Sequence, residues 1–170
     1  MLVIFVEGED DKNFFEKIVT PKLEYKYEVR IFEYARRKKE KISDFIRSIK
    51  SMNGDYIYVS DFDSGPCISA KKEKKCGEYK NIEKDKIIIV KQEIESCYLA
   101  GLNDANSKKF KIKKVPDVTD TVTKEKFYEL TIKERDLNFM LKILNNFDIE
   151  TAKQKNKSFK YFVTKYKINT

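Results

Sequence analysis

Short apolar runs recur along the first hundred residues of the chain and alternate with segments of helical pattern. Residues 2–6 (LVIFV), 55–63 (DYIYVSDFD) and 86–90 (KIIIV) have the apolar character of strands that are buried on both faces of a parallel sheet. Residues 27–35 (YEVRIFEYA) alternate and are rich in β-branched and aromatic side chains, which predicts a further strand.

Helical patterns fill the segments between the predicted strands. Residues 10–23 (DDKNFFEKIVTPKL) begin with two aspartates, whose charge suits a helix N-terminus, and we expect Pro21 to end this helix. Residues 66–80 are poorly patterned and form either a helix or a loop. The best-supported helix, over residues 39–52, has an apolar stripe at helical spacing formed by Ile42, Phe45, Ile46 and Ile49. The alternation predicts an α/β fold, an open, mainly parallel (Rossmann-like) sheet of about four strands flanked by helices.

The C-terminal part of the chain differs in character from the strand-rich part. It begins with a polar stretch that contains a weakly extended segment at 109–118 (KFKIKKVPDV). Helical spacing of apolar residues follows, at Leu137, Met140, Leu141 and Leu144. Asp148 and Ser158 are the predicted N-caps of two further short helices. We expect one compact unit, with a sheet-forming domain at residues 1–102 and a basic, mostly helical extension at residues 103–170 packed on it.

The charge balance favours a polyanionic partner. The chain has 36 lysine and arginine residues against 28 aspartate and glutamate residues, so its formal net charge is +8. An excess of positive charge is typical of proteins that bind nucleic acid. Two alternatives stay open: an ordinary solvated surface, and the lysine- and glutamate-rich composition that proteins of hot-growing organisms tend to have.

Several kinds of chemistry are excluded by the residue types present. The chain contains no histidine, and its three cysteines, Cys67, Cys76 and Cys97, lack the spacing of metal ligands. Zinc sites of the Cys/His type and Ser-His-Asp triads are therefore excluded, and catalysis would have to use carboxylates, lysines, hydroxyls or a bound metal. The N-terminal sequence MLVIFVEGEDD lacks the charged n-region of a signal peptide, and no apolar run approaches the roughly 20 residues of a membrane span. We expect a cytoplasmic protein that does not enter a membrane.

Acidic residues follow three of the predicted strands, at the ends where open α/β sheets bind ligands. They are Glu7 and Asp11, Asp61 and Asp63, and Glu93 and Glu95. Residues two apart in an extended segment face the same side, so we expect Asp61 and Asp63 both to reach one ion. Clustered carboxylates repel one another unless a cation compensates them. Oxygen ligands favour a hard ion such as Mg²⁺ (or Mn²⁺). The alternatives are an aspartate that caps a helix after the third strand, and a solvated first helical turn at the two glutamates.

Two motifs resemble the TOPRIM domain, the metal-binding fold of topoisomerases, DnaG-type primases and several nucleases. They are VEGEDDKNFF at residues 6–15 and YVSDFDSG at residues 58–65, and the resemblance covers about residues 1–100. A topoisomerase needs a nucleophilic tyrosine on another domain, and a primase needs a polymerising module, for which 170 residues leave no room. The resemblance therefore implies a small stand-alone TOPRIM protein, similar to the overcoming-lysogenisation-defect nucleases and to the nuclease that matures 5S ribosomal RNA.

The resemblance also implies roles for individual residues. Glu7 corresponds to the family glutamate, which acts in acid–base chemistry or couples to the metal, and Asp11 matches an acidic position often found four residues later. Asp61 and Asp63 correspond to the magnesium ligands of the family's DxD motif. The segment QEIESCYLAG is similar to a metal-binding segment of the overcoming-lysogenisation-defect nucleases, and of its two glutamates Glu95 joins the implied ligands.

The predicted function is magnesium-dependent cleavage of nucleic-acid phosphodiester bonds. Catalysis would depend on Glu7, Asp61 and Asp63, and metal binding on these three together with Asp11 and Glu95. The alternative is a non-catalytic module that binds nucleic acid or a partner protein, such as an ATPase. A weaker third alternative is transfer or hydrolysis of a small nucleotide, although the chain has neither a P-loop nor a dinucleotide-binding glycine pattern. The sequence leaves open whether the substrate is DNA or RNA, and which oligomeric state the protein has.

Basic residues predict the nucleic-acid-binding surface, in two groups. One group follows the second predicted strand and the other lies in the C-terminal tail; together they are Arg36, Arg37, Lys38, Lys39, Lys157 and Lys160. Their contacts to phosphate would supply sequence-independent affinity, and exposed aromatic residues of the tail could stack on bases. Lys157 and Lys160 are also the candidates for neutralising charge as the phosphodiester bond breaks. The alternatives are solvated basic residues in both groups, and a core position for the stripe of Phe159, Phe162 and Tyr166.

Overall fold

The protein folds around a four-stranded parallel β-sheet. The computed structural model describes residues 1–63, 65–112, 114–131 and 136–168. The strands in these residues are β1 (Leu2–Val6), β2 (Val29–Glu33), β3 (Asp55–Asp61) and β4 (Ile87–Val90). Their spatial order is β2-β1-β3-β4, and every neighbouring pair is parallel. The predicted α/β fold with an open parallel sheet is confirmed, and all four strands end at the same edge.

Helices connect the strands and make up the C-terminal part. The helices that precede β4 are α1 (Glu9–Phe14), α2 (Thr20–Leu23), α3 (Lys39–Ser51) and α4 (Ile68–Glu78), with a 3₁₀ turn at Lys84–Lys86. The helices that follow it are α5 (Glu95–Ala100), α6 (Asp104–Lys109), α7 (Lys124–Thr131), α8 (Leu137–Leu144), α9 (Ile149–Lys155) and α10 (Lys157–Tyr166). None of the helices in the described residues is both long and apolar enough to span a bilayer.

The first helical segment continues past Pro21, so the prediction that Pro21 ends it was wrong. A π-helical turn at Phe15–Val19 joins α1 to α2, and in it the N–H of Thr20 donates to the carbonyl oxygen of Phe15. Pro21 then lies in the first turn of α2. A proline is tolerated there because the N–H groups of a first turn have no partner within their own helix.

Alternate residues of the buried strands form two hydrophobic clusters, one on each face of the sheet. On one face, Leu2 and Ile4 pack with apolar residues of α5, α8 and α10. On the other face, Val3 and Phe5 pack with the apolar stripe of α3 and with Tyr79, which follows α4. The sheet and the C-terminal helices therefore share one core on the first face.

The C-terminal helices begin at residues that match the predicted caps only in part. Asp148 caps α9 as predicted, because it accepts a hydrogen bond from a first-turn N–H at 2.6 Å. Ser158 was wrongly predicted to cap α10: the cap is Asn156, whose side chain accepts from the N–H of Phe159 at 2.9 Å. Ser158 lies within the helix, and its hydroxyl oxygen accepts a hydrogen bond from the N–H of Lys91.

The polar stretch after α5 contains the helix α6, which was not predicted. The side chain of Asn103 caps this helix by accepting from the N–H of Asn106 at 2.9 Å. The weakly extended segment at 109–118 forms no strand in its described residues, and residue 113 lies outside them.

β4 lies at one edge of the sheet, between helices on opposite faces. Phe159 and Phe162 of α10 pack in the cluster on one face, and Tyr79 packs in the cluster on the other. α10 also bonds to the chain just beyond each end of the strand. Besides the contact of Ser158 with Lys91, the Nζ of Lys165 donates to the carbonyl oxygen of Asp85.

Candidate metal centre

The predicted acidic residues lie at the carboxyl edge of the sheet. Glu7 directly follows β1, Asp61 is the last residue of β3, and Glu95 begins α5 after β4. Because β1, β3 and β4 are neighbours in a parallel sheet, these three positions lie side by side. Asp11 lies in the first turn of α1, and its carboxylate interacts electrostatically with those of Glu7 and Glu95. The structure thus brings together residues from three separate strand ends.

Asp61 has surroundings that disfavour a negative charge. Its Oδ1 atom is buried and accepts no hydrogen bond from any described residue. Burial raises the pKa of Asp61 to about 9, and the charges of Asp11, Glu7, Glu95 and Asp63 add to the rise. A buried carboxylate oxygen that lacks a donor, among other carboxylates, marks a place where a cation would be stabilised.

Asp11 combines a capping role with a place in the acidic cluster. Its Oδ2 accepts a hydrogen bond from the N–H of Gly8 at 3.3 Å, at the start of α1. Burial raises the pKa of Asp11 to about 7; the bond from Gly8 opposes the rise, and the neighbouring carboxylates increase it. The hydroxyl of Tyr98 donates to the carbonyl oxygen of Asp10 at 2.8 Å, which fixes this turn against α5.

Glu95 is already neutralised by a lysine of α7. Its side chain is 1% exposed, and its Oε1 lies 2.6 Å from the Nζ of Lys124, which is also 3.5 Å from a carboxylate oxygen of Asp10. Burial raises the pKa of Glu95, and the ammonium group of Lys124 opposes that rise. The neighbouring Glu93 has a structural role, because it accepts a hydrogen bond from the N–H of Lys124 at 2.6 Å, at the start of α7.

Asp63 has surroundings quite unlike those of Asp61. Its side chain is 64% exposed, and its Oδ2 lies 2.7 Å from the Nζ of Lys71, a lysine of α4 that is itself only 6% exposed. β3 ends at Asp61, and Asp63 has a φ of 46°, in the left-handed region. The extended geometry from which both aspartates were expected to face one ion therefore does not continue to Asp63. Ser64, the next residue of the motif, lies outside the described residues.

The cluster fits a hard cation in part. Across the described residues, no group of three or more Asp, Glu, Cys or His side chains has the geometry to hold a metal ion. Mg²⁺, however, is commonly bound through one or two carboxylates and keeps several waters. Asp61, with its buried oxygen, suits such a site together with Glu7 and Asp11. Asp63 and Glu95 are less suited, because each is paired with a lysine.

An open cleft of about 640 Å³ begins beside Glu7. It lies beyond the carboxyl ends of β1 and β2, and its lining includes Arg36 and Arg37 together with the ion pair of Lys12 and Glu33, 3.4 Å apart. The first two residues of the predicted basic group therefore lie next to the predicted catalytic glutamate.

The remaining predicted basic residues lie elsewhere. Lys38 is the exposed N-cap of α3, and Lys39 forms an ion pair with Glu78 at 3.5 Å. Lys157 and Lys160 are exposed on α10, and Lys157 lines a depression beside β4 rather than the cleft at Glu7. Their suggested role at the breaking bond stays a prediction.

Two lysines of the site were not predicted from the sequence. Lys71 lies in a segment without a clear apolar pattern, and Lys124 lies in a polar stretch far along the chain from the sheet. A lysine in a chain with so many lysines gives no local signal of burial. The sequence does indicate that such lysines exist, because a cluster of carboxylates needs positively charged partners. It does not indicate which of the many lysines they are.

Comparisons of the chain with models of protein families, with curated proteins and with solved structures found no match. The functional argument therefore depends on the residues and geometry of the chain itself.

Proposed function

We propose that the protein is a magnesium-dependent phosphodiesterase of the TOPRIM type that cleaves nucleic acid. The observation that carries the proposal is the convergence of Glu7, Asp11 and Asp61 at one edge of the sheet, where Oδ1 of Asp61 is buried without a donor among the described residues. Such a cluster stays ionised only if a cation compensates it. The adjacent cleft with Arg36 and Arg37 supports an anionic substrate.

The proposal assigns a task to each part of the site. Asp61, Glu7 and Asp11 would hold the ion, which when bound polarises a phosphoryl oxygen and stabilises charge on the attacking and leaving oxygens. Glu7 is exposed beside the cleft, where it would accept a proton from the attacking water. Arg36 and Arg37 would bind the phosphate backbone on the β2 side of the cluster.

The second candidate is a non-catalytic module that binds nucleic acid or a partner protein such as an ATPase. It is favoured by the ion pairs of Asp63 with Lys71 and of Glu95 with Lys124, because a carboxylate paired with lysine is less available to an ion. Under this alternative the lysines would take the place of the cation, and the site would bind a partner without cleaving anything.

Calorimetric titration and a cleavage assay separate the two candidates. Mg²⁺ and Mn²⁺ are titrated into the wild type, Asp61→Asn and Asp63→Asn, and the same proteins are incubated with mixed DNA and RNA. We expect the wild type to bind the metal and cleave, and Asp61→Asn to lose both properties. Glu7→Gln should abolish cleavage of the substrate that the wild type prefers. Metal binding without cleavage would support the non-catalytic module, and absence of metal binding to the wild type would refute the proposal.

A further inference from the structure

Two depressions meet along the outer edge of β4. Their volumes are about 350 and 340 Å³, within the range of sites for small ligands. Ile68 and Lys91 line both, so the two form one groove, which we call the β4 groove. One end lies against Tyr161 of α10, and the other lies against Phe62, between the two aspartates of the DxD motif. The groove therefore leads from the surface of α10 towards the acidic cluster.

The β4 groove is positively charged at the end that is distant from the cluster. Lys72, Lys91 and Lys157 line this end, and none of them belongs to an ion pair among the described residues. Asp120 lines the other depression, but its carboxylate accepts hydrogen bonds from the N–H groups at the start of α10. Burial and the nearby Lys165 lower the pKa of Lys72, as expected where ammonium groups are crowded. An anion in the groove would relieve this crowding.

Tyr161 supplies an aromatic surface in the same groove. It is 50% exposed, although its neighbours Phe159 and Phe162 on α10 are buried in the core. The ammonium groups of Lys72 and Lys165 each lie 5.8 Å from the centre of its ring. An exposed ring surrounded by ammonium groups suits a nucleotide, whose base stacks on the ring while its phosphate contacts the lysines.

We propose that the β4 groove binds single-stranded nucleic acid and directs it to the acidic cluster. The claim that the bound strand is directed to the acidic cluster rests on the proposed function, whereas binding in the groove requires no metal. A single strand is favoured over a duplex because a duplex keeps its bases stacked inside and presents only phosphates to Tyr161 and Ile68. The occupant is therefore the unpaired strand that adjoins the cleavage position.

Fluorescence anisotropy in EDTA tests the groove independently of the metal. The probes are labelled ten-nucleotide strands, oligo-dT and oligo-rU, and the corresponding labelled duplexes. Tyr161→Leu should weaken binding of the better single strand by about 5- to 100-fold, whereas Tyr161→Phe, which keeps the ring, should bind like the wild type. Lys72→Glu with Lys157→Glu should lower the slope of log K against log salt concentration by roughly 1 to 2. The matched controls are Tyr25→Leu, at a tyrosine 67% exposed on another surface, and Lys108→Glu on α6, both of which should leave binding unchanged.

The outcomes separate the groove from the proposed function. Weaker binding by the groove variants supports the groove even if the wild type cleaves nothing when Mg²⁺ is added. If the wild type cleaves and Asp61→Asn does not, but all groove variants bind and cleave like the wild type, the groove proposal is overturned and the proposed function stands. The groove proposal is also overturned if the wild type binds neither strand in EDTA, or if Tyr161→Leu weakens duplex binding as much as single-strand binding.

Discussion

At the scale of single residues, Asp61 and Asp63 show how two aspartates of one short motif acquire different chemistry. Asp61 ends β3 and keeps a buried oxygen without a donor, and Asp63 lies beyond the strand and pairs with Lys71. Lys71 therefore neutralises the charge of Asp63, whereas no lysine of the described residues does so for Asp61. A cation that enters the site would be expected to bind at Asp61 before it competes with Lys71 for Asp63.

The pKa of Asp61 leads to a prediction about stability in the absence of metal. In the folded protein Asp61 keeps its proton up to about pH 9, whereas its unfolded pKa is near 3.8, so folding takes up a proton between these values. The contribution of this residue to the free energy of unfolding therefore falls as the pH rises through this window. In EDTA, the free energy of unfolding of Asp61→Asn should rise relative to that of the wild type as the pH increases. By pH 9 this relative gain should be at least about 1 kcal/mol, which corresponds to a shift of roughly one pKa unit.

Urea unfolding at a series of pH values measures this difference. Asp63→Asn is the matched control, because it makes the same change at an exposed aspartate that is paired with Lys71, and it should not gain stability as the pH rises. A stability difference between Asp61→Asn and the wild type that stays constant as the pH rises would contradict the raised pKa of Asp61.

Some site residues could be predicted from the sequence because their positions follow from the strands. Glu7 and Asp61 lie directly at the ends of apolar runs, so a parallel sheet places them at one edge without further information. Asp63 could be placed less well, since a left-handed residue after a strand does not follow the alternation of the strand. Lys71 and Lys124 could not be placed at all, because their contacts with Asp63 and Glu95 depend on how helices pack on the sheet.

At the scale of elements, a helix with a regular apolar stripe could be predicted from the sequence. The ends of helices that depend on single contacts could not. The stripe of α3 predicted a helix at 39–52, and the helix spans Lys39–Ser51. The end of the first helical segment depended on a π-helical turn, which lets the helix continue past Pro21. The spacing of apolar residues in the sequence does not indicate such a turn. The start of α10 depended on Asn156, which is fully buried and also bonds to the side chains of Ser96 and Thr119.

The end of α5 gives a prediction about packing between helices. A methyl group at Gly101 would lie 2.1 Å from Cδ2 of Phe147, whose ring packs 5.5 Å from those of Phe14 and Phe159 and has little room to move. Gly101→Ala should therefore lower the free energy of unfolding by about 1–3 kcal/mol. The matched control is Gly77→Ala in α4, where nothing lies within 4 Å of the added methyl group. That variant should gain about 0.5–1 kcal/mol from helix propensity. Thermal or urea unfolding of the two variants measures the loss of stability in Gly101→Ala and the gain in Gly77→Ala. Equal changes in the free energy of unfolding would contradict the close packing at Gly101.

At the scale of the whole molecule, the net charge of +8 matters through where the positive charges lie. Many surface lysines and arginines are balanced by nearby acids, as in the pair of Arg47 and Asp44. Arg36 and Arg37 line the cleft beside Glu7, and Lys72, Lys91 and Lys157 line the β4 groove. Two basic surfaces therefore flank the acidic edge of the sheet, on the β2 side and on the β4 side.

Charge reversal at the cleft should weaken the binding of nucleic acid and its dependence on salt. Arg36→Glu with Arg37→Glu should lower the slope of log K against log salt concentration by roughly 1 to 2 for the nucleic acid that the wild type binds best. Arg47→Glu is the control, since Arg47 is paired with Asp44 on the exposed side of α3. Anisotropy titrations at several salt concentrations provide the measurement. An unchanged slope in the double variant would mean that the cleft does not contact phosphate.

The way in which α10 bonds beyond both ends of β4 has a consequence for the solubility of the protein. An open edge strand offers unpaired N–H and C=O groups to any other chain, and a strand as apolar as IIIV would readily pair with a copy of itself. α10 bonds to the chain beyond each end of β4 through Ser158 and Lys165, and it lines one side of the β4 groove, so another strand has to fit past this helix to pair with the edge. The last helix therefore hinders the pairing of this edge with another chain, and partial unfolding that releases α10 would expose a strand from which intermolecular sheets can grow.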